Sequence, residues 1–229
     1  MPHLRQCTHV ACYFTEHSTK LKRMKNKSLL MAIAILLIAL NTLAQVKIGA
    51  QTWATKNLDV TTFRNGDPIP EAKTDGEWKA AAEAGKPAWC YYDNDFENGK
   101  IYGKLYNWYA VNDPRGLASS GWHVPNNTEW KILVTYLGKD DAGKKMKASS
   151  GWRKNGNGTD SNGFAAMPGG SRGDEGSFGN NVGLGTFWWS ATEYGDTDAW
   201  SRNVSFSEDG VSTYGVTKGI GESVRCIKD

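Results

Sequence analysis

Apolar positions recur at helical spacing in two stretches of this chain and alternate at strand spacing in several others. The firmest helix follows Gly121-Trp122-His123-Val124-Pro125-Asn126-Asn127-Thr128-Glu129-Trp130. Pro125 cannot continue a helix from its N-terminal side, so it fixes where the next one begins. Asn126 predicts an N-cap, and Glu129, three residues on, completes a capping box. Trp130, Leu133, Val134 and Leu137 then form one apolar stripe, and Gly138 ends it. Tyr102, Leu105, Tyr106 and Tyr109 repeat that spacing and predict a second helix, closed by the Asp113-Pro114-Arg115-Gly116 turn. A weaker helix is expected over Asp75 to Ala84 with Trp78 on the surface, and one more turn over Lys144 to Ala148.

Strand signals surround these helices. Val46 to Gly49 and Thr52 to Thr55 predict a hairpin about Ala50-Gln51, and Val60 to Phe63 and Ala88 to Tyr92 predict short strands. Thr186 to Ser190 is apolar enough for a buried strand. Trp200, Arg202, Val204 and Phe206 alternate with Ser201, Asn203, Ser205 and Ser207, and Asp209-Gly210 predicts a type I′ hairpin returning through Val211 to Val216. Ser223 to Ile227 predicts a closing strand. Residues 151–163 and the glycine-rich stretch to Gly185 read as long loops. The expected class is α+β, with two short helices packed on a twisted antiparallel sheet and long Gly- and Trp-rich loops.

The start of the chain reads differently. Met24-Lys25-Asn26-Lys27 is a basic segment, Leu29 to Leu40 is uncharged and apolar, and Thr42-Leu43-Ala44 supplies small residues for cleavage. The apolar run is short for a bilayer span, which needs about 20 residues. Residues 24–44 are therefore expected to be a signal peptide, with 1–23 an upstream extension from a mis-assigned start and 45–229 the exported domain. Export leaves no membrane span and places the domain in the periplasm, on the cell surface or outside the cell. It also changes the charge. Residues 1–44 hold six basic residues and one acidic residue, so the formal net charge of +3 becomes −2 without them. That balance gives no reason to expect a nucleic-acid partner.

All 10 Trp and 26 Gly lie in the exported part, which points to a loop-heavy fold tied by aromatic clusters. Its two cysteines, Cys90 and Cys226, meet an oxidising setting, and two readings stay open: a disulfide or two separate buried thiols. Both lie in expected strands.

Candidate chemistry is sparse. His123 is the single histidine after residue 44 and reads as a structural hydrogen-bonder, since no acid–base partner is apparent. Gly169-Gly170-Ser171-Arg172-Gly173 matches a nucleophile elbow only literally, because Pro168 precedes it and a polar loop follows. Asp93, Asp95 and Glu97 alternate like the start of a calcium loop, but Asn98 stands where an EF-hand needs glycine. A looser calcium site at Asp93 and Asp95, or at Asp160 with Asn162, is the one metal alternative, and no cofactor is expected. Trp122, Trp130, Trp188 and Trp189 fall in apolar patterning and belong to a core. Trp152, Trp200 and Tyr194 sit among polar residues and are candidates for a stacking surface.

Eight motifs in one order resemble the Fibrobacter succinogenes major paralogous domain family. They are Val46-Lys47-Ile48-Gly49 with Trp53 and Asn57-Leu58, Trp89 to Asp95, Tyr102 to Val111, and Gly121 to Pro125 with Glu129-Trp130. Gly158-Thr159-Asp160 with Gly163-Phe164, Pro168-Gly169-Gly170, Trp188 to Thr192 and Ser223-Val224-Arg225-Cys226 complete the set. Some relatives carry a Cys shortly before the Gly-Trp-His motif, where this chain has Ala118. The family is similar, broadly, to the C-type lectin fold shared with formylglycine-generating enzymes and the variable proteins of diversity-generating retroelements. The resemblance implies ligand contact through long loops and C-terminal strands. The cysteine pair of formylglycine-generating enzymes has no counterpart in spacing here, and the Glu-Pro-Asn and Trp-Asn-Asp sugar motifs of lectins are absent.

The reading this supports is an exported, non-enzymatic module that binds a glycan or a surface protein. Its expected ligand face is Trp152, Tyr194, Asp196, Asp198, Trp200, Asn203 and Tyr214. Trp200, Val204 and Phe206 should point inward, and Ser201, Asn203, Ser205, Ser207 and Tyr214 should line the opposite face. An oxidoreductase-like enzyme on the formylglycine-generating scaffold and a purely structural surface protein are the alternatives. The leader makes a direct prediction: mass spectrometry of the exported protein will find Gln45 as its first residue. An exported form that retains Cys7 or Cys12 would contradict the cleavage site.

Overall fold

A computed structural model describes residues 44–179 and 181–229. The expected extension and all of the signal peptide except Ala44 lie outside the described residues. Four strands form the first sheet. β1 (Gln45–Ile48) and β2 (Gln51–Ala54) are a hairpin that turns at Gly49-Ala50, one position before the expected place. The last strand, β9 (Ile227–Lys228), lies between β2 and β5 (Trp122–His123), giving the order β1-β2-β9-β5. Ile227 thus faces Trp53 on one side and His123 on the other.

The expected main helix is present as α4 (Asn127–Leu137). Asn126 accepts from the amides of Thr128 and Glu129, while Glu129 reaches back to the Asn126 amide. Its buried stripe of Trp130, Leu133 and Leu137 packs with Trp53, Phe164, Trp188 and Val204 in one core. A short helix, α5 (Ala142–Met146), follows and adds Ala142 and Met146 to that core.

The helix expected across Tyr102 to Tyr109 is a helix, a strand and a second helix. α2 (Phe96–Tyr102) ends at Gly103, β4 (Leu105–Tyr106) pairs with β3 (Trp89–Cys90), and α3 (Trp108–Val111) starts from an Asn107 cap. Gly103 sits at φ +76°, and a Cβ there would meet the Leu58 carbonyl at 2.9 Å, so the chain turns where a helix would continue. The spacing of Tyr102, Leu105, Tyr106 and Tyr109 reflects contacts on several partners, not one face. Ahead of them, α1 (Asp75–Glu83) forms as expected, but Trp78 is buried and donates its indole N–H to the Gly219 carbonyl at 3.0 Å. No strand forms over Val60 to Phe63; only a bridge between Thr62 and Pro68 marks it.

The third sheet is antiparallel, in the order β6 (Gly185–Glu193), β7 (Asp198–Ser205) and β8 (Ser212–Thr217). Six residues separate β7 from β8, so Asp209-Gly210 is no two-residue turn. The connection instead docks on α5, with the Lys144 amide donating to the Asp209 carbonyl at 2.8 Å. Trp188 and Trp189 are both buried, on opposite faces of β6. The expected closing strand is broken into bridges: Glu222 pairs with Tyr106, and Ser223 with Trp188. Residues 218–226 therefore cover the face of the third sheet away from α4. The coarse class is α+β, as expected. Among the described residues no helix is long and apolar enough to cross a membrane.

Trp130 sits 4.8 Å from Trp53 and 5.8 Å from Trp188 between ring centroids, at the junction of two sheets and α4. Trp130→Ala is expected to cost about 3–5 kcal/mol, read as a fall in denaturant midpoint with little change in m.

Candidate functional site

The β6–β7 connection and the end of β8 form one side of a surface cleft of about 360 Å³. Lys79 and Glu83 of α1, Tyr109 of α3, and Asp174 and Glu175 of the glycine-rich loop form the other sides. Asp196 and Thr197 come from the first connection, and Thr217, Lys218 and Gly219 from the end of β8. Lys218 organises this edge. Its Nζ donates to Glu193 Oε1 at 2.9 Å and to the Asp196 carbonyl at 2.8 Å, and lies 4.9 Å from the Trp108 ring centroid. Thr217 Oγ1 donates to Asp174 Oδ2 at 3.2 Å and ties the strand end to the glycine-rich loop. Four carboxylates, two lysines and three hydroxyls line the walls, so the cleft offers hydrogen bonds and a surplus of negative charge.

Two residues before Asp196 in the chain, Tyr194 is exposed on one side and stacks edge-on against Trp200 at 4.4 Å on the other. It thus has the apolar partner that its polar neighbours in sequence hide. Gly215 lies beneath its ring, where any Cβ would overlap it. Trp200 is half-buried under this ring and does not enter the core. Val204 is in the core as expected, and Phe206 packs against its edge.

The opposite face of β7 differs from expectation at its centre. Ser201, Asn203 and Tyr214 do share that face, because Ser201 pairs with Tyr214 and Asn203 with Ser212. Ser201 is buried, however, because residues 218–226 cross over it, and its Oγ donates to Glu222 Oε1 at 2.9 Å. Asn203 spends its amide on the Thr186 carbonyl at 3.1 Å. Tyr214 alone of the three is exposed. Asp198 is half-buried at the start of β7.

Trp152 is a core residue, not a stacking platform. It is 6% exposed, and its indole N–H donates to the Ala166 carbonyl at 2.9 Å. The polar residues around it form a loop that folds over the ring. Cys90 and Cys226 are both free and buried in this structure. Burial pushes each thiol up to about 12, the opposite of an activated thiolate.

The calcium candidates have structural roles. Asp95 caps α2 through the Glu97 amide, Asp160 Oδ1 accepts from the Ala165 amide at 2.8 Å, and Asp93 sits at φ 55° in a turn. Among the described residues no three His, Cys, Asp or Glu side chains cluster to hold a metal ion. His123 bridges two carboxylates, with Nδ1 2.7 Å from Asp229 Oδ1 and Nε2 2.8 Å from Glu129 Oε1. Partial burial lowers its pKa, but the bonds to Glu129 and Asp229 outweigh it and the net shift is upward. It clamps the chain end to α4.

Sequence reasoning found Asp196 of the cleft but missed Lys218, Asp174, Tyr109 and Lys79. Only the Thr217-Lys218-Gly219 turn, closing a strand beside a buried Trp, carried a signal. It missed Glu222 as well, a carboxyl within the buried segment Glu222 to Ile227.

The chain belongs to the Fibrobacter succinogenes major domain family, whose profile matches residues 46–228. No curated protein and no solved structure matches the chain.

Glu222 sets a pH dependence. Burial pushes its carboxyl from an ordinary 4.5 up to about 8, against the lowering bond from Ser201, and its Oε2 has no partner. Between those values the folded chain holds a proton that the unfolded chain has released. Stability is therefore full below about pH 4.5 and falls as pH rises through 8. Glu222→Gln is expected to flatten that slope, by about 1.4 kcal/mol per pH unit at most, in denaturation measured from pH 5 to 9.

Proposed function

We propose that the chain is an exported, non-enzymatic binding module that takes a glycan or a surface protein at the cleft beside β7 and β8. On this reading the fold is C-type lectin-like in the broad sense, and its loops and C-terminal strands present the ligand surface. The observation that carries the proposal is the convergence of five separate stretches on one polar cleft, with the Tyr109 ring in its wall. Carboxylates and hydroxyls fixed by neighbours suit the hydroxyl groups of a sugar or the amides and cations of a protein. The Tyr109 ring in the cleft wall adds a face on which a pyranose or an apolar side chain can stack.

The enzyme reading on a formylglycine-generating scaffold has less support. Both thiols are sealed in the core with raised pKa, and Glu222, whose pKa would suit an acid at neutral pH, lies under a strand and outside the cleft. A structural surface role has no feature of its own in its favour.

The test is a glycan-array and surface-protein binding screen with the full chain, followed by variants. Asp196→Ala and Tyr194→Ala are each expected to weaken the ligand found by about tenfold, or 1.4 kcal/mol. Lys47→Ala, on the exposed face of β1, should leave it unchanged. Full affinity in both cleft variants would place the ligand elsewhere and end this assignment.

A further inference from the structure

On the α4 side of the third sheet lies a second cavity, of about 340 Å³, lined by Asn127, Lys131, Val134, Thr135, Lys139, Arg202, Val211 and Thr213. Three cations line it and no Asp or Glu does. At its floor is Arg202, only 3% exposed. The guanidinium donates to the Ser201 carbonyl at 3.1 Å, and to the side chain and, at 3.5 Å, the carbonyl of Asn127. Among the described residues it forms no ion pair.

That arrangement is unlike the other buried arginines. Arg172 is satisfied by the Gly176 and Ala72 carbonyls and by Asp75. Arg225 is satisfied by the Ala54 and Phe164 carbonyls and by Asn57. Arg172 is a strut within the packing, and Arg225 lines a separate cavity of about 280 Å³ that also holds the Asp59 carboxylate. Arg202 lines a cavity that holds no carboxylate, with the exposed ammonium groups of Lys131 and Lys139 added at the rim. Burial pulls the guanidinium down to about 10, and no neighbouring carboxylate counters it. Neutral acceptors offset only part of the desolvation of a buried cation, and an anion that joins it offsets more.

We propose that this cavity is an anion site that takes a carboxylate-bearing sugar of monosaccharide size, with Arg202 as the fork that holds the carboxylate. The planar guanidinium matches a carboxylate through paired N–H donors, as a lysine alone could not. Lys131 and Lys139 draw the charge in. The hydroxyls of Thr135 and Thr213 serve the ring hydroxyls, and Val134 and Val211 offer an apolar wall to the C–H face. The volume is ample for one such ring. This site stands apart from the cleft of Lys218 and does not depend on that cleft being occupied.

The test is titration calorimetry of the full chain with glucuronate, with methyl glucoside as the neutral counterpart, and with inorganic sulfate and phosphate. Glucuronate is expected to bind, more weakly as salt rises, and methyl glucoside not at all. The rim pair Lys131→Gln with Lys139→Gln should lose roughly tenfold or more, while Lys47→Gln keeps full affinity. Arg202→Gln should abolish binding with an unchanged circular dichroism spectrum. If that variant does not fold, the exposed rim pair decides the matter. No glucuronate binding by the natural chain would overturn the proposal. So would sulfate or phosphate binding as tightly as glucuronate, or undiminished affinity in the rim pair. Failure of the cleft variants above to affect glucuronate leaves this site standing, because the two cavities share no residue.

Discussion

Much of this chain is loop, yet its loops run through the interior, and every carbonyl taken there needs a donor. Ladder hydrogen bonds cannot supply enough of them, since several strands are only two residues long. Indole N–H groups fill the gap. Trp78 donates to Gly219, Trp89 to Ile69, Trp108 to Ser190, Trp152 to Ala166 and Trp189 to Tyr106, each to a backbone carbonyl. Buried cations do the same: Lys147 reaches the Ser205 and Glu208 carbonyls, and Arg172 and Arg225 each hold two more. A carbonyl left unpaired in such a place costs about 1–3 kcal/mol. These five of the 10 tryptophans therefore do two things at once, burying apolar area and tying irregular backbone.

The same constraint explains how the two ends of the domain are joined. β9 enters the first sheet between β2 and β5, while the segment just before it bonds to Tyr106 and to the edge of β6. One C-terminal stretch thus stitches all three sheets. Arg225 lies within it, its guanidinium 4.4 Å from the Phe164 centroid and bonded to the Ala54 and Phe164 carbonyls. Truncation before Glu222 would therefore open several interfaces at once, not one strand pair. Glu222 is the imperfection in this stitching, because one of its oxygens has no donor.

What could be read in the sequence follows from how local each signal is. The capping box of α4 is set by residues within a few positions of one another, and it formed as read. The aromatic run from Tyr102 to Tyr109 could not be read that way, because Tyr106 serves Val60 and Trp189 while Trp108 serves Ser190. Strand alternation correctly placed Val204 in the core and grouped Ser201, Asn203 and Tyr214 on one face. It could not show that residues 218–226 cover that face, since the partner over a strand is absent from the strand's own pattern. Trp152 misled for a related reason: polar neighbours in sequence say little about a ring that points away from them. Of the cleft, Asp196 was legible and Lys218, Asp174 and Tyr109 were not, because the last three reach it from separate stretches.

Coverage on both faces limits where β7 can meet anything else. Ser201 is closed off by Glu222 on one side, and Val204 by Trp130 and Trp188 on the other. What stays open is the margin: the end by Asp196 and Lys218, and the flank where Arg202 meets α4. At both margins the residues that face solvent are side chains of loops, strand ends and helix surface, while the residues that hold them are core. Lys218 shows the division, setting its ammonium over the Trp108 ring and fixing the Glu193–Asp196 connection with its charge. Changes at Asp196, Thr197, Lys131 or Lys139 therefore touch exposed side chains and leave the indole-to-carbonyl ties intact. A scaffold built this way separates the residues that keep it folded from those free to specify a ligand.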